Sequence, residues 1–244
     1  MAVPIKAVEG VQLEMQQGLP IATARVYDFT ASAHLSWDRF VRLKASAEAI
    51  KKLANPGARI LDAGGYDGAL ALFLPGYQVD VIDPATTGGS VLEIPTDGRS
   101  YDAVVAVDVL EHIEPQDRIK ALSEFARVAL MHVVLNYPCQ ESKDAQILAL
   151  KLTNNALIKE HVEWELPDSN WVLSELAIHG FRGTITPHSS IAIWLGQYIT
   201  LNLAPEAAKD LNKHLVANYS EEPCSKALYH LVICERCHLT LPHL

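Results

Sequence analysis

The sequence predicts an α/β fold, a largely parallel sheet flanked by helices. Three observations carry this. From about residue 58, short β-rich runs alternate with helical patterns, the order expected when parallel strands are joined by crossover helices. The strand candidates are almost continuously apolar, as suits strands covered on both faces. A glycine turn, Gly64-Gly65-Tyr66-Asp67-Gly68, follows the first of them and opens a helical stretch, the place where open α/β sheets bind ligands.

Residues 1–35 read as a loose start. A helix is expected over 37–53, because Trp37, Phe40, Val41, Ile50 and Leu53 recur at helical spacing and Ser36 is placed to cap it. Asn55-Pro56-Gly57 stops it, since proline cannot continue the ladder. Strands are expected at 59–63, 78–83, 90–94 (a weak one), 101–107 and 132–137. A short helix fits 68–74. A longer one fits 115–129, where Pro115 and Asp117 favour a first turn. Beyond Pro138, helical patterns cover 141–159, 169–179, 191–201 and 205–219, and strands cover 181–186 and 227–235. The last two strands can pair only if the helices between them, about 188–222, fold over one end as a lid. The expected organisation is therefore 1–57, with the first helix, ahead of a core at 58–244.

Composition excludes several classes. The 244 residues are 49% hydrophobic, enough for a sizeable core. Twenty Lys+Arg against 29 Asp+Glu leave a net charge of −9, which disfavours nucleic acid and anionic membranes as partners. The start carries no signal-peptide pattern, and the apolar run at 190–204 is shorter than the roughly 20 residues a span needs. Four cysteines in a chain this long do not make a disulfide framework. A cytoplasmic protein is the expectation.

The glycine turn names the ligand class. Gly64, Gly65 and Gly68 let the backbone bend and approach a ligand closely. Asp83 ends the second core strand, about 20 residues on, where an acid can bond both hydroxyls of a ribose. The spacing is not G-x-G-x-x-G, because Tyr66 occupies the middle-glycine position. Asp67 puts negative charge at the helix start, which opposes a pyrophosphate and suits a ligand carrying an ammonium and a sulfonium.

At this point the chain resembles the class I S-adenosylmethionine-dependent methyltransferases. Residues 61–68 are similar to their first motif, D/E-x-G-x-G-x-G. Val81-Ile82-Asp83-Pro84 is similar to their second-strand ending, and residues 100–113, ending Leu110-Glu111-His112-Ile113, resemble the fourth strand and LEHI segment of the small-molecule branch. The resemblance implies a Rossmann-like seven-stranded sheet of order 3-2-1-4-5-7-6 with strand seven antiparallel, helices on both faces, and an N-terminal cover segment. It implies S-adenosylmethionine as cofactor, bound through the first motif (Asp62, Gly64, Gly65, Tyr66, Gly68). Gly64 and Gly65 would face the methionine part and Asp83 would hold the ribose. Pro84, Val91 and Leu92 would flank the adenine, and Asp108 and Val109 would close the pocket near the methyl group. Tyr66 implies a locally different turn, and Ser90 stands where many relatives carry an acid near the adenine.

The partner implied is a small-molecule acceptor. His112 is one candidate general base, because it follows the fourth strand beside the expected methyl site. His161 is the other, in the His161–Pro167 segment where Trp164 would wall the acceptor pocket. Each also has a plain structural reading as a packed, hydrogen-bonded side chain. Tyr27 is a candidate for the cover. No catalytic metal is expected: the ten histidines show no H-x-x-x-H or H-E-x-x-H grouping. Cys234-Glu235-Arg236-Cys237-His238 matches a haem-attachment string only as letters, since in a strand its two cysteines would point to opposite faces. Two other readings stay open: a catalytically silent nucleotide-binding or scaffold domain, and a nicotinamide oxidoreductase, which fits the acid but not the glycine spacing.

Overall fold

The computed structural model describes residues 6–221 and 226–237; Cys224 and His238 lie outside the described residues. The strands are β1 (Val11–Met15), β2 (Ala22–Val26), β3 (Arg59–Ala63), β4 (Gln78–Ile82), β5 (Tyr101–Val107), β6 (Ala129–Pro138), β7 (Phe181–Ser190) and β8 (Ala227–Arg236). They form one sheet in the order β1-β2-β4-β3-β5-β6-β8-β7. The four central strands, β4, β3, β5 and β6, pair in parallel. The last strand runs antiparallel to both of its neighbours.

Successive residues of the central strands serve two cores, as the two-residue period of a strand requires. Val104 and Ala106 of β5, with Val133 and Leu135 of β6, face one side. Ala103, Val105 and Val134 face the other. Helix α1 (Trp37–Leu53) covers the second side, with Leu43, Ala47 and Ile50 buried against it. Helices α2 (Arg118–Val128) and α5 (Ser169–Ile178) cover the first through Leu122, Phe125, Val172 and Leu176. A satellite core gathers Trp37 and Val41 with Trp194 of α6 (Ile191–Leu203) and Leu215 of α7 (Pro205–Asn218). It also takes in Ala149 of α3 (Lys143–Thr153) and Ile158 of α4 (Ala156–Glu163).

The sheet departs from the expectation at one edge, with eight strands rather than seven. Residues 90–94 are not a strand; only a Ser90–Glu93 bridge forms there. Their backbone is satisfied by α2 instead: the Ile94 amide donates to Glu124 (2.8 Å), and the Ile94 carbonyl accepts from Arg127 (2.7 Å). The edge of β4 is taken by the segment expected to be loose. β1 and β2 form an antiparallel hairpin, and β2 pairs with β4 through Ala22–Val81 and Thr23–Asp80. Val11, Leu13 and Ala22 bury against Leu72 and Val81, so an apolar face drives the docking.

Three local expectations also change. The stretch after the glycine turn is a tight 3-10 turn, Ala69–Phe73, not an α-helix. The helix expected over 141–159 is two helices, broken where Asn154 turns left-handed (φ 51) and Asn155 caps α4 by accepting from the Leu157 amide at 2.9 Å. Ser36 makes no side-chain cap on α1. Asn212 of α7 does this from across the molecule, accepting from the Trp37 amide at 2.6 Å and donating to the Leu35 carbonyl at 2.9 Å. No helix among the described residues is long and apolar enough to cross a membrane.

Candidate functional site

A cavity of about 600 Å³ opens at the carboxyl ends of β3, β4 and β5, within the size range of small-molecule sites. Asp62, Gly64, Gly65, Tyr66, Asp83, Pro84, Val91, Asp108, Val109 and His112 all line it. Six residues singled out in the sequence do not. Gly68 faces β1, where a Cβ would meet Leu13 at 2.9 Å, so its smallness serves the docked hairpin. Leu92 and Ser90 turn to a separate groove on the α2 side, because residues 90–94 are tied to α2. His161 lines a second, smaller cavity. Tyr27 is 73% exposed and lines neither cavity, and nor does Trp164.

The turn after β3 is built from alternating left-handed residues: Gly64 (φ 79), Tyr66 (φ 46) and Gly68 (φ 79). Tyr66 therefore adopts the conformation a glycine would supply there, and the turn is not rerouted around it. Its phenol oxygen accepts from Lys6 at 2.7 Å, and Thr86 donates to its carbonyl at 2.7 Å. Asp108, directly after β5, is a second strained residue of the lining (φ 55). Two non-glycine residues held left-handed in one cavity fit the tendency of strain to collect at functional sites.

Charge in the cavity is arranged in pairs, with two carboxylates left over. Arg39 grips Asp67 with both ends of its guanidinium. Asp67, expected to face a ligand's positive charge, is thus neutralised within the protein. Arg42 binds Asp108 at 2.8 Å. Asp62 is buried, and none of the described residues donates a hydrogen bond to its carboxylate. Burial, with the nearby Asp67 carboxylate, pushes its pKa up to about 7. One oxygen of Asp83 accepts from the Ala85 and Thr86 amides (2.8 and 3.2 Å). The other has no protein partner among the described residues, and Asp83 lines the cavity.

Beside this cavity lies one of about 180 Å³, which shares Arg42, Asp108, His112 and Leu157 with it and adds Gln146, His161, Trp194, Tyr198 and Tyr229. Here the two histidines meet. His112 Nε2 and His161 Nε2 are 3.2 Å apart. His112 Nδ1 faces Glu160 at 2.7 Å, and His161 Nδ1 faces Gln146 at 3.1 Å. Burial, with His112 nearby, pushes the His161 pKa down to about 3, so the ring is neutral. Arg118 brings the two segments together: its buried guanidinium donates to the Leu110 and Ile113 carbonyls after β5 and to the Trp164 and Glu165 carbonyls after α4 (2.7–3.1 Å). Glu111, between them, is fully buried with neither carboxylate oxygen hydrogen-bonded. Burial, with the Asp108 carboxylate nearby, holds its carboxyl well above the usual range.

Sequence reasoning missed Arg39, Arg42, Arg118, Glu111, Gln146 and Glu160 as parts of the site. Arg39 and Arg42 carry a visible signal, two cations three residues apart on the face of α1 that points to the sheet's carboxyl end. The others gain their meaning only from the tertiary arrangement.

No family model matches the chain, and no curated protein matches it. Solved structures do. A proposed sarcosine dimethylglycine methyltransferase from Galdieria sulphuraria matches with a TM-score of 0.50 at 17% identity, over 81% of this chain and 85% of that one. A proposed methyltransferase from an antibiotic biosynthesis pathway of Anabaena variabilis matches with a TM-score of 0.50 at 13% identity, over 79% and 98%. The magnesium protoporphyrin IX methyltransferase of Synechocystis, solved with bound S-adenosylhomocysteine, matches with a TM-score of 0.50 at 12% identity, over 86% of each chain. At such identities the likeness is one of architecture: this chain has the Rossmann-like α/β fold of those methyltransferases.

Proposed function

We propose that the chain binds S-adenosylmethionine in the larger cavity and transfers its methyl group to a small-molecule acceptor held in the smaller one. The observation that carries this is the charge left over in the lining. Arg39 and Arg42 are each consumed by an aspartate, and Asp62 and the free oxygen of Asp83 remain. A cavity with two unpaired carboxylates attracts a cation and repels a pyrophosphate, which disfavours the dinucleotide reading.

The residues present fit the group. A Cβ on Gly64 would lie 2.5 Å from Val109, and one on Gly65 would strike the Asp62 carboxylate, so both positions need glycine for the turn to pack under a ligand. Asp83 is poised to accept from ribose hydroxyls, with Pro84 and Val91 as apolar walls for the base. Asp62 faces the ammonium. Tyr66 forms part of the wall of a cavity of about 600 Å³, so its ring leaves room for a ligand, which supports binding over the silent reading. Bound there, the sulfonium supplies an electrophilic methyl carbon. The protein's task is then to hold the acceptor in line with it and keep water out, a large effect on its own. The junction of the two cavities, at Asp108 and His112, is the place for that alignment.

Calorimetric titration tests the reading. S-adenosylmethionine and S-adenosylhomocysteine should bind and nicotinamide dinucleotides should not. Asp83→Ala should weaken binding by about tenfold or more, through loss of charge-assisted bonds to the ribose. Unchanged affinity in that variant would sink the pose.

A further inference from the structure

We propose that Glu111, His112 and His161 form a site for one divalent transition-metal ion of the zinc type, opening into the smaller cavity. The argument starts from the protons. Glu160 offers His112 Nδ1 a carboxylate oxygen at 2.7 Å, and Gln146 offers His161 Nδ1 an amide oxygen at 3.1 Å. Both are acceptors, so each ring carries its hydrogen on Nδ1 and turns a bare lone pair outward at Nε2. Those two lone pairs face each other across 3.2 Å. They repel unless a positive charge lies between them.

The spacing is that of two ligands on one ion. With metal–nitrogen bonds of about 2.0–2.1 Å, two imidazoles on a tetrahedral ion stand about 3.3 Å apart. Glu111 is the third ligand. Its carboxyl group is fully buried, with neither oxygen satisfied by a donor, and one ligand atom from each of the three residues lies within 4.8 Å of the others. A buried carboxyl group beside another acid, here Asp108, must be neutralised, paired or bound to a metal. The outer hydrogen bonds complete the pattern, because a metal-ligating histidine characteristically gives its other N–H to a carboxylate or carbonyl that fixes its tautomer. Two imidazoles and one carboxylate suit zinc, iron or cobalt rather than magnesium or calcium. Three protein ligands leave a coordination position open toward the cavity. An acceptor oxygen would take that position, a part of the inference that rests on the methyl-transfer reading; the metal site itself does not.

The two histidines are 49 residues apart, which is why no spacing motif announces the site. With an ion bound, both Nε2 lone pairs would be committed to it, so the proposal stands against the expectation of a metal-free protein with His112 and His161 as proton acceptors.

The test uses the full chain stripped of metal by a chelator and titrated with Co²⁺, followed by visible d–d absorption. One equivalent should bind, be displaced by Zn²⁺, and resist excess Mg²⁺. His161→Ala and Glu111→Gln should lose about 100-fold in Co²⁺ affinity. Glu160→Gln, which touches no metal, should lose about 10- to 100-fold. Circular dichroism on each variant confirms folding, and Glu160→Gln keeps the test alive if His161→Ala does not fold. Asp83→Ala should leave the Co²⁺ titration unchanged, so a failed cofactor pose and a failed metal site give different results. An absent d–d band, or equal affinity in all variants, would overturn the proposal and leave a proton-sharing histidine pair in its place.

Discussion

Arg42 lies 2.8 Å from Asp108, and the same guanidinium reaches Asp38 and the Tyr229 hydroxyl, each at 3.1 Å. One side chain of α1 thus ties the helix to the loop after β5 and to β8. Burial alone would lower its pKa, but Asp108, Tyr229 and Asp38 together raise it. Removing one partner of such a buried group strands the others. Arg42→Met should cost about 3–5 kcal/mol in urea unfolding. Arg42→Met with Asp108→Asn should recover part of that loss, because the stranded charge goes too.

Asp62 should make the binding of a cationic ligand and the stability of the fold depend on pH in opposite directions. Its pKa rises from 3.8 to about 7 on folding, so the folded state holds the proton more tightly than the unfolded one. Its contribution to stability therefore falls as pH rises from about 4 to about 7, and the loss is complete above that. Asp62→Asn should be more stable than the parent at about pH 8 by roughly 2–4 kcal/mol, with the gap closing by about pH 4. A cationic ligand needs the carboxylate, so its affinity for the parent should climb up to about tenfold per pH unit toward pH 7 and then level off. The asparagine variant should show a flat profile in the same titration.

Tyr66 at φ 46 pays the steric cost of a left-handed residue, about 1–2 kcal/mol. Tyr66→Gly removes that strain but gains entropy in the unfolded chain, so its stability should stay within about 0.5 kcal/mol of the parent. Tyr66→Val keeps the strain and adds a β-branch, and should lose about 1–2 kcal/mol. Thermal denaturation of the pair separates the backbone effect from the loss of the ring.

Asn212 caps a helix that it reaches from 175 positions away in the sequence. Asn212→Ala removes the bonds to both the Trp37 amide and the Leu35 carbonyl and should cost about 1–2 kcal/mol. Hydrogen exchange should rise at the first turn of α1 in this variant while the central strands stay protected. Uniform exchange across the sheet would contradict a local cap.

The central sheet was legible because β3 to β6 are runs of apolar residues with no competing pattern, and the glycine turn with Asp83 marked its ligand end. The β1–β2 hairpin was missed in a segment read as loose, although its signal is there. Val11-Gln12-Leu13-Glu14-Met15 alternates as a half-buried strand does, and the turn before β2 contains Gly18-Leu19-Pro20. Residues 90–94 misled because Val91, Leu92 and Ile94 are apolar enough for a strand. Their backbone is claimed by Glu124 and Arg127, which no periodicity reveals. The same holds for the site. Asp62, Asp83 and Asp108 are marked by their places at or just after the carboxyl ends of strands, whereas the meeting of His112 with His161 depends on Arg118 clamping two loops that the sequence keeps far apart.

The docked hairpin gives the amino-terminal portion a protective duty. Without residues 11–26, β4 would present a bare row of amides and carbonyls to solvent, a template for another chain to add to. A shortened protein starting at α1 should therefore lose solubility and assemble through that exposed flank, even with every residue of the cavity still in place.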